Sequence, residues 1–261
     1  MTTFTQRLLL VFAAVLGIVF ALVVAAPANW LGAALTAASG QRVQLAEARG
    51  SWHDGSALLV LRGGAYSEAA TLAPGRVSWH IGLGELWRGQ LQLQVLDTAL
   101  SHDVLQLEAQ RHPGSWRLRQ LAPWKGSLPA ALLQGLGTPW NTLALRARLD
   151  LDLNGVDMQV ADGRAQLFGD AKLDAMDVQS RLSQVAPLGS YRMLLRGEGP
   201  SATLQLSTVS GPLQLRGEGQ WNGRQWRFEG RGSAQPQHAA ELASLLGLLG
   251  EPAGDHVRIA F

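Results

Sequence analysis

From residue 42 onward, apolar and polar side chains alternate along the chain in short runs. RVQLAEA, ALLVLRG, RVSWHI, QLQLQVL, VLQLEAQ and SWRLRQ open the series, each bounded by glycine, proline or polar breaks. Successive side chains of a strand point to opposite faces, so this period of two predicts strands with one apolar and one polar face. The series continues through LALRARLDLDL, VDMQV, RAQLFGDAKLDAMDVQSRLS, YRMLLRGEG and ATLQLSTV and closes on HVRIAF. About a dozen strands are predicted.

Helical spacing is rare. PANWLGAALTAASG predicts a short helix with Pro27 near its start and Gly40 at its end. In QHAAELASLLGLLG, Ala239, Leu242, Leu246 and Leu249 recur at three- and four-residue spacing, and Gly250 with Pro252 supplies the stop. LPAALLQGLG, residues 128–137, is a third short candidate, and residues 123–139 mark a candidate division into two β-rich halves. With so little helix, the apolar strand faces must cover one another in a sandwich or barrel, or stay open as a curved sheet with an apolar trough.

The stretch GPLQLRGEGQWNGRQWRFEGRG, residues 211–232, is a hairpin by its alternation. Asn222-Gly223 predicts a two-residue type I′ turn, which places Gly219 opposite Trp226, Gly217 opposite Phe228 and Leu215 opposite Gly230. Large side chains then cover bare glycine backbone. The other face would pair Glu218 with Arg227 and Arg216 with Glu229, opposite in sign. A phosphate-binding glycine loop needs a following helix or a Lys-Ser/Thr pair, and neither is present.

The first residues change the picture. Residues 8–26, LLLVFAAVLGIVFALVVAA, form an uncharged apolar run long enough, as a helix, to cross a bilayer core of about 30 Å. Ala26-Pro27-Ala28 offers the alternative of a signal-peptide cleavage site, although the run exceeds the roughly 7–15 apolar residues of such peptides. Arg7 precedes the run and no basic residue follows it until Arg42, which predicts a cytoplasmic tail over 1–7, a transmembrane helix over 8–26 and an exported domain over 27–261. Cysteine is absent, which excludes disulfides, thiolate metal sites and thiol catalysis. A net charge of +2, spread over the chain without a basic stripe, gives no nucleic-acid signature.

Chemical motifs fail one by one. In DLDLNGVDMQVA, Asp150, Asp152, Asn154 and Gly155 stand at calcium-loop positions, but position twelve is Ala161 where a bidentate Glu is required. Asn154-Gly155 instead predicts a hairpin turn between two alternating runs. The six histidines never fall at metal-binding helical spacing. In His53-Asp54 and His102-Asp103 the neighbours point to opposite strand faces and cannot form a base with its orienting carboxylate. Trp52, Trp79, Trp87, Trp221 and Trp226 are expected to pack or to cover glycine, and Trp30, just past the apolar run, to sit at a membrane interface. No catalytic, cofactor-binding or metal residue is assigned, and no cofactor is expected.

The order of these features resembles the type II secretion system protein N family. The likeness is carried by PANW after the apolar run, then RGSWHDGSA, VSWHIGLGELWRGQLQLQV, LDAMDVQSRLSQVAPLGSYRMLLRGEG, and STVSGPLQLRGEGQWNGRQWRFEGRGSA leading into AAELASLLGLLG. It covers nearly the whole chain. The resemblance implies a non-enzymatic, single-pass inner-membrane subunit with a periplasmic β-rich domain, supporting export of folded proteins across the outer membrane. Its implied partners are inner-membrane and periplasmic secretion components, with membrane lipid around the anchor. An alternative rests on the strands alone: a periplasmic lipid-binding or lipid-transfer module with an apolar groove in a curved sheet.

Overall fold

Alternation becomes one antiparallel sheet in the computed structural model, which describes residues 25–64, 69–84, 88–138 and 140–260. Its strands are β1 (Val43–Gly50), β2 (Asp54–Arg62), β3 (Ala70–Gly82), β4 (Gln90–Leu96), β5 (Leu105–His112), β6 (Ser115–Gln120), β7 (Trp124–Pro129) and β8 (Arg146–Ala161). They continue with β9 (Arg164–Gln179), β10 (Gly189–Gly199), β11 (Ala202–Ser210), β12 (Leu213–Trp221), β13 (Trp226–Ala234), β14 (Glu251–Ala253) and β15 (His256–Ala260). Strands follow chain order across the sheet, except that β7 branches onto β8 and β15 lies between β13 and β14. Strand β6 pairs with the second half of β8 and β7 with the first half, so β8 joins the β1–β6 side to the β9–β15 side.

The predicted transmembrane helix falls almost wholly on residues outside those described, as does the 1–7 tail. Among the described residues no helix is long and apolar enough to cross a membrane. Helix α1 (Ala28–Ala38) starts directly after Pro27, as the sequence predicts, and packs on β1. There Ala28, Ala57, Trp79 and Ile81 form one buried cluster. Residues 128–137 give β7's last two residues and a 3-10 turn, Ala130–Leu136, held on β3 by a 2.7 Å hydrogen bond from Thr71 Oγ1 to the Leu132 carbonyl. A single helical turn, α2 (Trp140–Leu143), follows. Helix α3 (Ala239–Leu249) closes the other end, where Leu242 and Leu245 meet Tyr191, Leu213 and Val178.

The sheet is open. Two buried clusters sit at its two ends, and Leu242 is the one large side chain fully buried among the described residues. A sandwich of this size would bury many such side chains along its whole length. Farther along β8 to β11 from the second cluster, Leu151, Leu153, Leu173, Met193, Leu195 and Leu204 are only half-buried.

Two turns differ from expectation. Asn154-Gly155 does not reverse the chain: β8 runs through it for 16 residues, with a bulge between Asn154 and Asp157 and Gly155 at φ +63°. The bulge is matched by Gly169 of β9, where a Cβ would collide with the Gly155 carbonyl. The reversal comes at Asp162-Gly163, both at positive φ, the backbone that a two-residue type I′ turn requires.

The β12–β13 hairpin forms, but Trp221 faces Trp226 across a four-residue loop and the register is displaced by two residues. In that loop only Gly223 takes positive φ. Asn222 instead accepts backbone hydrogen bonds from Arg224 and Gln225 at 3.1 and 3.0 Å on its side-chain oxygen. The displaced register stacks Trp221 and Trp226 at 5.7 Å and lays Phe228 over Gly217, Gly219 and Gly230. A shift of two keeps every side chain on its predicted face. It changes the partners, however: Glu218 now faces Glu229 and Arg216 faces Arg231.

Candidate functional site

One face of the sheet carries almost all the charge between β5 and β15. Its best-buried part lies over β5, β6 and β8, where Arg117 makes a bidentate pair with Asp157 and Arg119 donates to Glu108 at 2.9 Å. Asp157 and Glu108 are both buried. The Asp157 hydrogen bonds raise the Arg117 pKa, so this guanidinium is charged at every accessible pH. These pairs compensate charge that the sheet has taken out of water.

Next to them lies a ladder of ion pairs over β7 to β10. Asp152 pairs with Lys125 at 3.2 Å and lies 3.9 Å from Lys172. Asp174 pairs with Arg192 at 2.6 Å, Asp150 with Arg148 at 3.0 Å and Asp170 with Arg196 at 3.1 Å. The Arg192 hydrogen bond holds the Asp174 carboxyl below its ordinary value. Asp150 and Asp152, the calcium-loop candidates, are thus strand residues ion-paired with cations, and Asn154 lies at the start of the bulge.

Over β10 to β15 the same face sinks into a trough of about 1060 Å³. Its lining carries Arg216, Arg227, Arg231 and Arg258 together with Glu218 and Glu229, and Leu194 and Gln205 line its β10–β11 side. The concavity therefore lies on the charged face, where the strand pattern alone led to the expectation of an apolar trough. Sequence reasoning missed the trough because Arg231 and Arg258 meet only once β15 docks on β13. The usable signal was the shared parity of Arg216, Arg231 and Arg258 on neighbouring strands.

The remaining candidates do not assemble. Ser51 Oγ lies 2.9 Å from His53 Nδ1, but Asp54 turns to His80 at 3.5 Å, so no carboxylate orients the His53 ring. Ser51 Oγ and the Asp54 backbone N–H and carbonyl are joined in a turn at 3.1 and 3.2 Å. Among the described residues no three His, Asp or Glu gather as a metal-binding group. Of the tryptophans, Trp79 is buried and donates from Nε1 to the Trp52 carbonyl at 3.0 Å. Trp30 is 63% exposed, and Trp87 lies outside the described residues.

Comparison with known families decides what this arrangement belongs to. Residues 41–259 match the model of the type II secretion system (T2SS), protein N. The chain belongs to that family. The match runs from just before β1 into β15 and so covers the sheet, with α1 and the apolar N-terminal run outside it. Membership marks the chain as a type II secretion component. No curated protein and no solved structure matches it.

Proposed function

We propose that this protein N family member is a non-enzymatic, inner-membrane-anchored subunit of the type II secretion system, holding its sheet in the periplasm to contact other components. The observation that carries the proposal is the family match over the whole sheet. The apolar run of 8–26 supports the anchor, with residues 1–7 cytoplasmic and 27–261 periplasmic. Carboxylates neutralised by arginine and lysine support a scaffolding role over a catalytic one. A clean deletion tests it: folded exoproteins should accumulate in the periplasm, and complementation should release them. Fractionation should find the uncleaved chain in inner membranes, with its C-terminal part open to protease added from the periplasmic side. Normal secretion in the deletion strain removes the proposal.

A second reading has one observation in its favour, the half-buried leucine stripe over β8 to β11. A lipid module would hold acyl chains there. Native mass spectrometry of the full chain released from detergent decides it: co-purified phospholipid that Leu195→Gln abolishes supports lipid binding, and a lipid-free chain ends that reading.

A further inference from the structure

Arg216, Arg231 and Arg258 stand directly opposite one another on β12, β13 and β15. At about 4.8 Å between strands, this row puts three guanidinium groups within about 10 Å. Like charges in facing positions oppose pairing. Counter-charge is thin: Arg258 lies 3.8 Å from Glu229, Arg231 reaches Asp255 only through space, and Arg216 has no ion pair among the described residues. Over β7 to β10, starting two strands away, the same face matches each acid with a base. The hairpin holds its arginines unmatched because its register is fixed from behind, by Phe228 over three glycines.

We infer that the trough over β12, β13 and β15 is a docking site for an extended acidic segment of a partner protein. It is an open trough of about 1060 Å³ running across several strands, not a closed cavity. Arginine's planar fork suits carboxylates, two at a time. Leu194, 41% exposed on the β10 side of the trough, gives one apolar side chain of the segment a contact. One step along the strands, about 6.8 Å, lie Glu218 and Glu229, so the matching chain carries acid, then base, at strand spacing. That pattern fits a peptide. A flat anionic membrane is repelled by the two glutamates and does not reach arginines on a concave wall. The inference rests on the secretion-component reading only for the source of the partner.

The test uses the full chain in detergent, an immobilised 12-residue peptide in which Glu is followed at strand spacing by Lys (the Glu peptide), a counterpart with every Glu changed to Lys (the Lys peptide), and phosphatidylglycerol vesicles. The Glu peptide should bind, weakening with salt, and Arg231→Glu should cut affinity on the order of tenfold or more. Arg111→Glu, on exposed β5 at the far side of the sheet, should leave binding unchanged. Arg231→Glu should also keep its unfolding midpoint, because it removes a like-charge contact. Equal binding of the Lys peptide, equal loss with Arg111→Glu, or vesicle binding that the Glu peptide fails to displace overturns the inference. In cells, Arg231→Glu at normal chain level should lower secretion. If deletion stops secretion while no Glu peptide binds, the docking inference falls and the secretion role stands. If peptide binding depends on Arg231 while deletion leaves secretion intact, the secretion role falls alone.

Discussion

Two parts of one sheet face treat charge in opposite ways. Over β8 to β10, Asp152 faces Lys172, Asp174 lies between Asp150 and Arg192, and each of these acids has an ion-pair partner. Over β12 to β15, Arg216, Arg231 and Arg258 face one another, and Glu218 faces Glu229. Exposed ion pairs contribute little to stability, about 0–1 kcal/mol each, so neither pattern holds the sheet together. The apolar side does that. The charged side is free to be matched where the protein only needs solubility, and unmatched where it meets a partner.

The largest effect should come from behind both regions. Leu242→Ala in α3 empties the centre of the cluster that fixes β10 and β12, and should cost about 2–5 kcal/mol in denaturant unfolding. A loss below 1 kcal/mol would mean that the ion-pair face carries more of the fold than its exposure allows. Asp157→Ala comes next. It strands the Arg117 guanidinium beside buried polar groups, and a loss of about 1–3 kcal/mol is expected, discounted because Arg117 is partly exposed.

Within the matched ladder, Asp174→Asn should cost about 0.2–1 kcal/mol at neutral pH. The Arg192 hydrogen bond lowers the folded-state pKa of Asp174 below 3.8, so its contribution is fully present above that value. It is lost as pH falls through the lower folded value, because the folded state then takes up the proton the unfolded state already holds. The two proteins should therefore converge in acid, as thermal midpoints measured from pH 7 downward would show.

The smallest effect carries the sharpest contrast. Arg231→Gln should raise stability, by about 0.2–0.5 kcal/mol at low salt, and the gain should fade as salt screens the row. Arg192→Gln should act in the opposite direction. If both destabilise, the two regions do not differ as their registers indicate.

Where a strand is marked by its own alternation, the sequence reads it closely. QLQLQVL and SWRLRQ are β4 and β6 to the residue, and the α1 and α3 segments lie where glycine and proline stops place them. β7 and β14 were not legible, since WKGSLP and EPA carry no period and exist as strands through pairing with β8 and β15. The Asn154-Gly155 signal was real but served a bulge, because β9 continues opposite both halves of β8.

The sequence by itself determined which side of each strand a residue occupies, because a period of two is a local property of the backbone. That is enough to separate glycine, leucine and phenylalanine from arginine and glutamate over residues 211–232, whatever the register. Only the tertiary structure decided which charges face each other. Loop length and the fit of Phe228 onto Gly217, Gly219 and Gly230 displaced the hairpin by two residues, and β15 brought Arg258 beside Arg231 from 27 positions away. Neighbours across a sheet are set by pairing, which no single strand encodes.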